Sequence, residues 1–148
     1  MSPEYDLRAV ADRLAIEDLL HRYSTAIDTR DFALLEEVFT ADGVADYTAS
    51  GGIRGSLAEI QEWLAGALGI FTVIQHLVTN IRVEVSGDEA TSTCYLFNPL
   101  GYPRADGGTE MLYCGGLYHD RLVRTAGGWR VRERVIETLY LDGRLPGS

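Results

Sequence analysis

The sequence predicts an α+β fold, with three N-terminal helices packed on a strongly curved antiparallel sheet. Two observations carry this. The first third of the chain repeats apolar residues at helical spacing, and the part after Gly69 alternates in strand fashion between turn signals. Helices first and strands afterwards exclude the alternating order of a parallel sheet. At 148 residues the chain has room for one core, and no repeat or low-complexity stretch divides it, so residues 1–148 read as a single domain.

Each element has its own signal. Ile16, Leu20, Tyr23 and Ile27 recur at steps of four and three, one buried stripe of a first helix. Glu17 with His21, and Asp18 with Arg22, stand on the other side at the spacing of solvated pairs. Thr29-Arg30 ends the pattern. Asp31 is a good N-cap for a second short helix burying Leu34, Leu35, Val38 and Phe39. Ala41-Asp42-Gly43 reads as a turn, Val44 to Thr48 as a short strand, and residues 50–52 as a loop. Ser56 and Glu59 form the capping box of a third helix, with Leu57, Ile60, Leu64 and Leu68 buried. Strands follow over 72–85, 89–100, 109–124 and 129–141, a four-strand antiparallel meander with a looser connection from Pro103 to Gly108. Gly115-Gly116 permits bending. A long bent sheet facing helices leaves a cone between them.

The formal charge of −9 opposes nucleic acid as a partner, because phosphate binding needs a basic face. A neutral, rather apolar small molecule is the expected guest. No apolar run approaches the ~20 residues that span a bilayer. The acidic, amphipathic start from Met1 to Leu14 is unlike a secretory or transit signal, so the expectation is a cytoplasmic protein that binds no membrane. Cys94 and Cys114 lack CxxC spacing and read as buried free thiols. Zinc patterns, P-loop, dinucleotide glycine motif and nucleophile elbow are all missing, which leaves acid–base chemistry with no cofactor and no metal as the expected form of catalysis.

His76 lies in an apolar strand start, Val73 to Thr79. Imidazole titrates near neutrality unaided, so a histidine in the cone is a ready general base. Asp28 closes the first helix, where a carboxylate meets the negative end of the dipole at a cost of about 0.3–1 kcal/mol. A neighbouring imidazole would offset that cost, and the carboxylate would fix its tautomer. Tyr23 lies on the buried stripe, and a buried phenol seeks a hydrogen-bond partner. Asp46 and Tyr47 are adjacent in a strand, so only one faces inward. Asn98 and Tyr118 are candidates on later strands; His119 then points to the opposite face, and His21 lies on the polar side of its helix. Trp63, Phe71, Leu96, Phe97 and Leu112 suit an apolar guest.

These residues resemble the SnoaL-like branch of the NTF2-like superfamily, from about Leu14 to Tyr140. The marks are Leu14 to Tyr23, Ile27-Asp28, Asp31-Phe32, Phe39 before Asp42-Gly43, Gln75-His76, and Leu117 to Thr125 leading into Gly128-Trp129-Arg130. The resemblance implies the cystatin-like cone and a dimer or higher homo-oligomer formed through the outer sheet face. Asp28 and His76 match the Asp–His pair of scytalone dehydratase, bile-acid 7α-dehydratase and hexachlorocyclohexane dehydrochlorinase. Tyr23 matches a helix-one tyrosine of the bile-acid enzyme, and Tyr47 resembles one of two tyrosines of scytalone dehydratase. The acid-side residues of these enzymes fall on Ile27, Asn98, Tyr118 and Thr138 here, so the leaving group differs from theirs or is handled differently. This implies a cofactor-independent lyase of the dehydratase type, with His76, Asp28, Tyr23 and Tyr47 catalytic and Asn98, Tyr118, Trp63, Phe71 and Leu112 binding substrate. Ketosteroid isomerase is the competing overlay, for isomerisation or polyketide-type cyclisation: it uses Tyr23 with Asp46 and leaves Asp28 and His76 without a task. A third reading keeps the cone as a binding module without catalysis.

Overall fold

The computed structural model describes residues 6–148; Met1 to Tyr5, part of the acidic start read above, lie outside them. Helix α1 (Leu7–Asp28) buries the expected stripe, with Ile16, Leu20, Tyr23 and Ile27 at most 2% exposed. The second helix is not an α-helix but a 3-10 helix, Phe32–Glu37, and Asp31 supplies no side-chain cap. Six residues are too few for a stable α-turn series, and such short connectors take the tighter form. Phe39 is buried as expected, but it opens strand β1 (Phe39–Asp46).

Ala41-Asp42-Gly43 is a bulge inside β1 rather than a turn. The register against the last strand jumps between Phe39 and Val44, and at Gly43 a Cβ would stand 2.9 Å from the Thr40 carbonyl oxygen. A short strand β2 (Arg54–Ser56) then leads into α2 (Leu57–Ala67). The capping box forms as expected: Ser56 Oγ accepts from the Glu59 amide at 3.4 Å, and the Ser56 amide donates to Glu59 Oε2 at 2.7 Å.

The expected strand over 72–85 is two strands, β3 (Val73–Ile74) and β4 (Leu77–Ser86). Strands β5 (Glu89–Pro103), β6 (Thr109–Thr125) and β7 (Gly128–Asp142) complete the antiparallel meander. The sheet order is β2-β1-β7-β6-β5-β3, with β4 also paired to β5. It is not wholly antiparallel: β1 runs parallel to β7, pairing Ala45 with Arg134. That pairing joins segments from opposite ends of the chain, so no local turn signal announces it.

The curl comes from bulges. Between β6 and β7 the register shifts at Gly115–Gly116, where a Cβ on Gly116 would fall 2.2 Å from the Glu137 carbonyl oxygen. The glycine pair thus lets the two backbones close up where the sheet folds over the helices.

At its far end α1 is clamped to the β6–β7 hairpin. Asp12, buried one turn before Ile16, accepts from Arg124 at 2.7 and 2.9 Å and from Trp129 Nε1 at 3.0 Å. Hydrogen bonding from Arg124 holds the Asp12 carboxyl below its ordinary value, against the opposing effect of burial. A carboxyl depressed in the folded state contributes stability that is complete above the unfolded value of 3.8 and is lost as pH falls through the folded one. Asp12→Asn should therefore cost about 1–3 kcal/mol at neutral pH. In urea titrations the gap to wild type should close below about pH 4; a gap that stays constant down to pH 2 contradicts this.

Candidate active site

A cavity of about 500 Å³ lies between the helices and the inner face of the sheet. Tyr23, Tyr47, Trp63, Phe71, His76, Leu96, Asn98, Leu112 and Tyr118 all border it, so the structure brings together the residues expected from the sequence. Asp28 stands behind His76 rather than on the cavity wall. Phe97 does not join them: it is on the outer face, stacked on Tyr113 with ring centroids 6.1 Å apart.

The histidine sits at a break in the ladder. Ile74 still pairs with Leu100 and Leu77 with Phe97, but Gln75 and His76 between them leave the register. Backbone groups freed in this way need new partners. Asn98 Nδ2 donates to the Gln75 carbonyl at 2.7 Å. The His76 amide donates to Asp28 Oδ2 at 3.1 Å, while His76 Nδ1 lies 2.7 Å from Asp28 Oδ1. One carboxylate thus replaces a strand partner and orients the ring. A carboxylate only accepts, so Nδ1 carries a proton, and in the neutral ring this tautomer leaves the lone pair on Nε2. Nε2 has no hydrogen-bond partner among the described residues, and the ring borders the cavity. The two N–H donors also answer the unfavourable placement of Asp28 at the end of α1.

Opposite stand the tyrosines. The Tyr23 and Tyr47 hydroxyls are 2.7 Å apart, and the Tyr23 ring meets those of His76 and Tyr118 edge-on at 6.4 and 5.6 Å. Burial above all, with neighbouring Tyr23 adding to it, pushes the Tyr47 and Tyr118 hydroxyls well above the ordinary phenol range. They remain protonated hydrogen-bond donors. Trp63 lies against Tyr47, its ring centroid at 5.8 Å, and reaches over Gly52, where a Cβ would come within 2.7 Å of the indole.

Tyr47 turns inward and Asp46 outward. Asp46 accepts from the Thr48 hydroxyl at 2.6 Å and the Thr48 amide at 3.0 Å, and these bonds hold its carboxyl below the ordinary range. It does not border the cavity, so the isomerase reading with Asp46 as proton carrier lacks its base. Cys114 also departs from expectation: it is half-buried and faces the cavity, whereas Cys94 is buried with its thiol pushed up to about 11 by desolvation.

Beneath the tyrosines lies a pair that the sequence reading missed. Arg134 is fully buried and donates Nε and Nη2 to Asp120, each at 2.7 Å. Its guanidinium carbon lies 4.2 Å from the Tyr23 ring centre and 4.0 Å from that of Tyr118. Burial works against the charge, but Asp120 outweighs it and holds Arg134 well above its ordinary value. Strand parity carried the signal, since Tyr118 facing inward takes Asp120 and Leu122 with it. Among the described residues no three metal-ligating side chains gather, and no helix is long and apolar enough to cross a membrane.

The SnoaL-like domain matches residues 8–135 of this fold. The chain belongs to the SnoaL-like family. This SnoaL-like protein is 45% identical to the uncharacterised protein Rv2910c of Mycobacterium tuberculosis, over 85% of its own length and 84% of the relative's. Its fold matches that of protein Kfla4162 from Kribbella flavida with a TM-score of 0.82, at 26% identity over 90% of this chain and 95% of the other. The crystal structure of LinA matches with a TM-score of 0.77, at 25% identity over 97% of this chain and 95% of the other. LinA is by name a hexachlorocyclohexane dehydrochlorinase. The SnoaL-like protein therefore has the NTF2-like cone, a fold it shares with LinA.

Proposed function

We propose that this protein is a cofactor-independent lyase that eliminates water, or a comparable leaving group, from a neutral and mostly apolar cyclic molecule. The observation that carries the reading is the His76 imidazole, bound through Nδ1 to Asp28 at 2.7 Å and bordering the cavity, with Nε2 unpartnered among the described residues. In the reaction Nε2 takes a proton from the carbon beside a carbonyl. The C–H electron pair becomes the new C=C bond as the neighbouring C–O bond breaks, and the hydroxyl leaves with a proton from Tyr47. That proton returns to the tyrosine from the imidazolium by way of solvent. Tyr23 donates to the carbonyl oxygen as charge develops on it. Asn98, Tyr118, Trp63, Phe71 and Leu112 hold the substrate. Among the described residues no Lys, Arg, Asp or Glu borders the cavity, which supports an uncharged guest.

A bicyclic β-hydroxy ketone, β-hydroxytetralone, tests this directly, because loss of water yields a naphthol that is read by fluorescence. Naphthol formation above the buffer rate supports the reading; equal rates with and without protein sink it.

We also propose a homo-oligomer built on the outer sheet face. Leu77, Tyr95, Phe97, Tyr113 and Tyr140 are each at least 36% exposed there, where an alternating strand normally presents polar residues. Phe97→Glu should shift sedimentation from oligomer to monomer. A wild-type protein that sediments as a monomer ends the proposal.

A further inference from the structure

We propose that Arg30 is a positioning residue that braces the mouth of the cavity and so sets which guests enter and how fast they leave. The inference rests on the cavity taking a small molecule, and not on the elimination step.

Arg30 follows Asp28 by two residues and has φ of +59°, the left-handed region that side-chain-bearing residues rarely adopt. The turn after α1 would accept a glycine with less strain, so the backbone alone gives no reason for an arginine. The guanidinium supplies one. Its Nη1 donates to the Leu68 carbonyl at 2.7 Å, and its Nη2 donates to the Phe71 carbonyl. Leu68 caps the C-terminus of α2, where a cation meets the negative end of the helix dipole. Arg30 thus ties the end of α1 to a segment about forty residues further along the chain.

That segment is one lip of the cavity. Leu68, Ile70 and Phe71 border the cavity, as do Leu145 and Pro146 from the C-terminal residues. Ile70 is 49% exposed and Leu145 52% exposed, so these two mark where the cavity opens to solvent. The lips are joined. The Phe71 ring packs edge-on against Tyr102 at 6.1 Å, and the Tyr102 hydroxyl donates to the Arg144 carbonyl at 2.9 Å. The guanidinium holds the Phe71 carbonyl, beside backbone bonds from the Phe71 amide to Leu68 and from the Thr72 amide to Gly101. Phe71 supports Tyr102, and Tyr102 holds the C-terminal lip. Removing the guanidinium loosens both sides of the opening without touching the cavity floor, where His76 and the tyrosines stand.

The test uses Arg30→Gly, which suits the left-handed backbone, and Arg30→Lys, which keeps a cation. Release of β-naphthol and of the larger hydroxypyrene is followed by stopped-flow fluorescence. Arg30→Gly should release β-naphthol about tenfold faster or more, and should gain uptake of hydroxypyrene relative to wild type. Arg30→Lys should fall between them, because one ammonium cannot span both carbonyls as a fork does. A purely structural arginine would instead lower Tm and leave release and size preference alone. Release within twofold of wild type in Arg30→Gly overturns the proposal, as does failure of the wild type to take up either guest. Release and turnover of β-hydroxytetralone are read separately, so failure of the lyase reading leaves this result standing, and the reverse.

Discussion

His76→Ala should lower turnover of the eliminated substrate by about 10²–10⁴-fold, the usual contribution of a positioned general base. The fold should survive, because the ring, although its side chain is only 7% exposed, borders an open cavity that takes up the lost volume. Asp28→Asn is the more discriminating variant. The carboxylate accepts from both the His76 amide and Nδ1. An amide has one oxygen and one NH₂ group, so it serves one of these as acceptor and presents a donor to the other. If its NH₂ meets Nδ1, the ring proton moves to Nε2 and the lone pair is removed from the cavity side. A loss comparable to that of His76→Ala is therefore expected, with Tm lowered by only a few degrees. Should Asp28→Asn lower Tm while kcat stays at the wild-type value, Asp28 is merely the strand partner of His76. Wild-type turnover in both variants would remove the dyad from the mechanism.

The sequence announces what is local. The stripe on α1, the Ser56–Glu59 capping box and the β4–β7 meander are written in spacings of a few residues, and all of them form. Features made by distant segments were hidden. Nothing near Phe39 or Ala45 shows that β1 will lie parallel to β7, since its partners come about ninety residues later. The bulge at residues 41–43 looks like a turn because both use small and polar residues where the chain departs from regular pairing. Asp28 and His76 stand 48 residues apart, so spacing does not pair them; the dipole-opposed carboxylate asks for a neighbouring donor, and the family resemblance matches it with His76. The ladder break that presents His76 was equally invisible, because Val73 to Val85 reads as continuous strand. Asp120 is legible through its parity with Tyr118 on β6, but Arg134 is not: the register shift at Arg121–Leu122 switches the buried face of β7 after Val131, and charged residues ordinarily face solvent.

The same pair sets the largest stability effect. Arg134→Met should destabilise the protein by about 3–5 kcal/mol, because Asp120 would remain buried with its countercharge gone. Only Ser92 Oγ, at 3.4 Å, would still donate to it, and that long bond cannot satisfy a carboxylate. Arg134→Met with Asp120→Leu should recover most of the loss. Both desolvation penalties then disappear together, and so does the buried Nη1 that has no partner. Urea unfolding of the two single variants and the double one forms a thermodynamic cycle, and a coupling of several kcal/mol is expected. Additive effects would show that the two charges do not depend on each other. The double variant also separates stability from chemistry. It removes the guanidinium that stacks on Tyr23 and Tyr118 while restoring the fold, so any remaining fall in turnover measures what that charge does for the tyrosine hydroxyls.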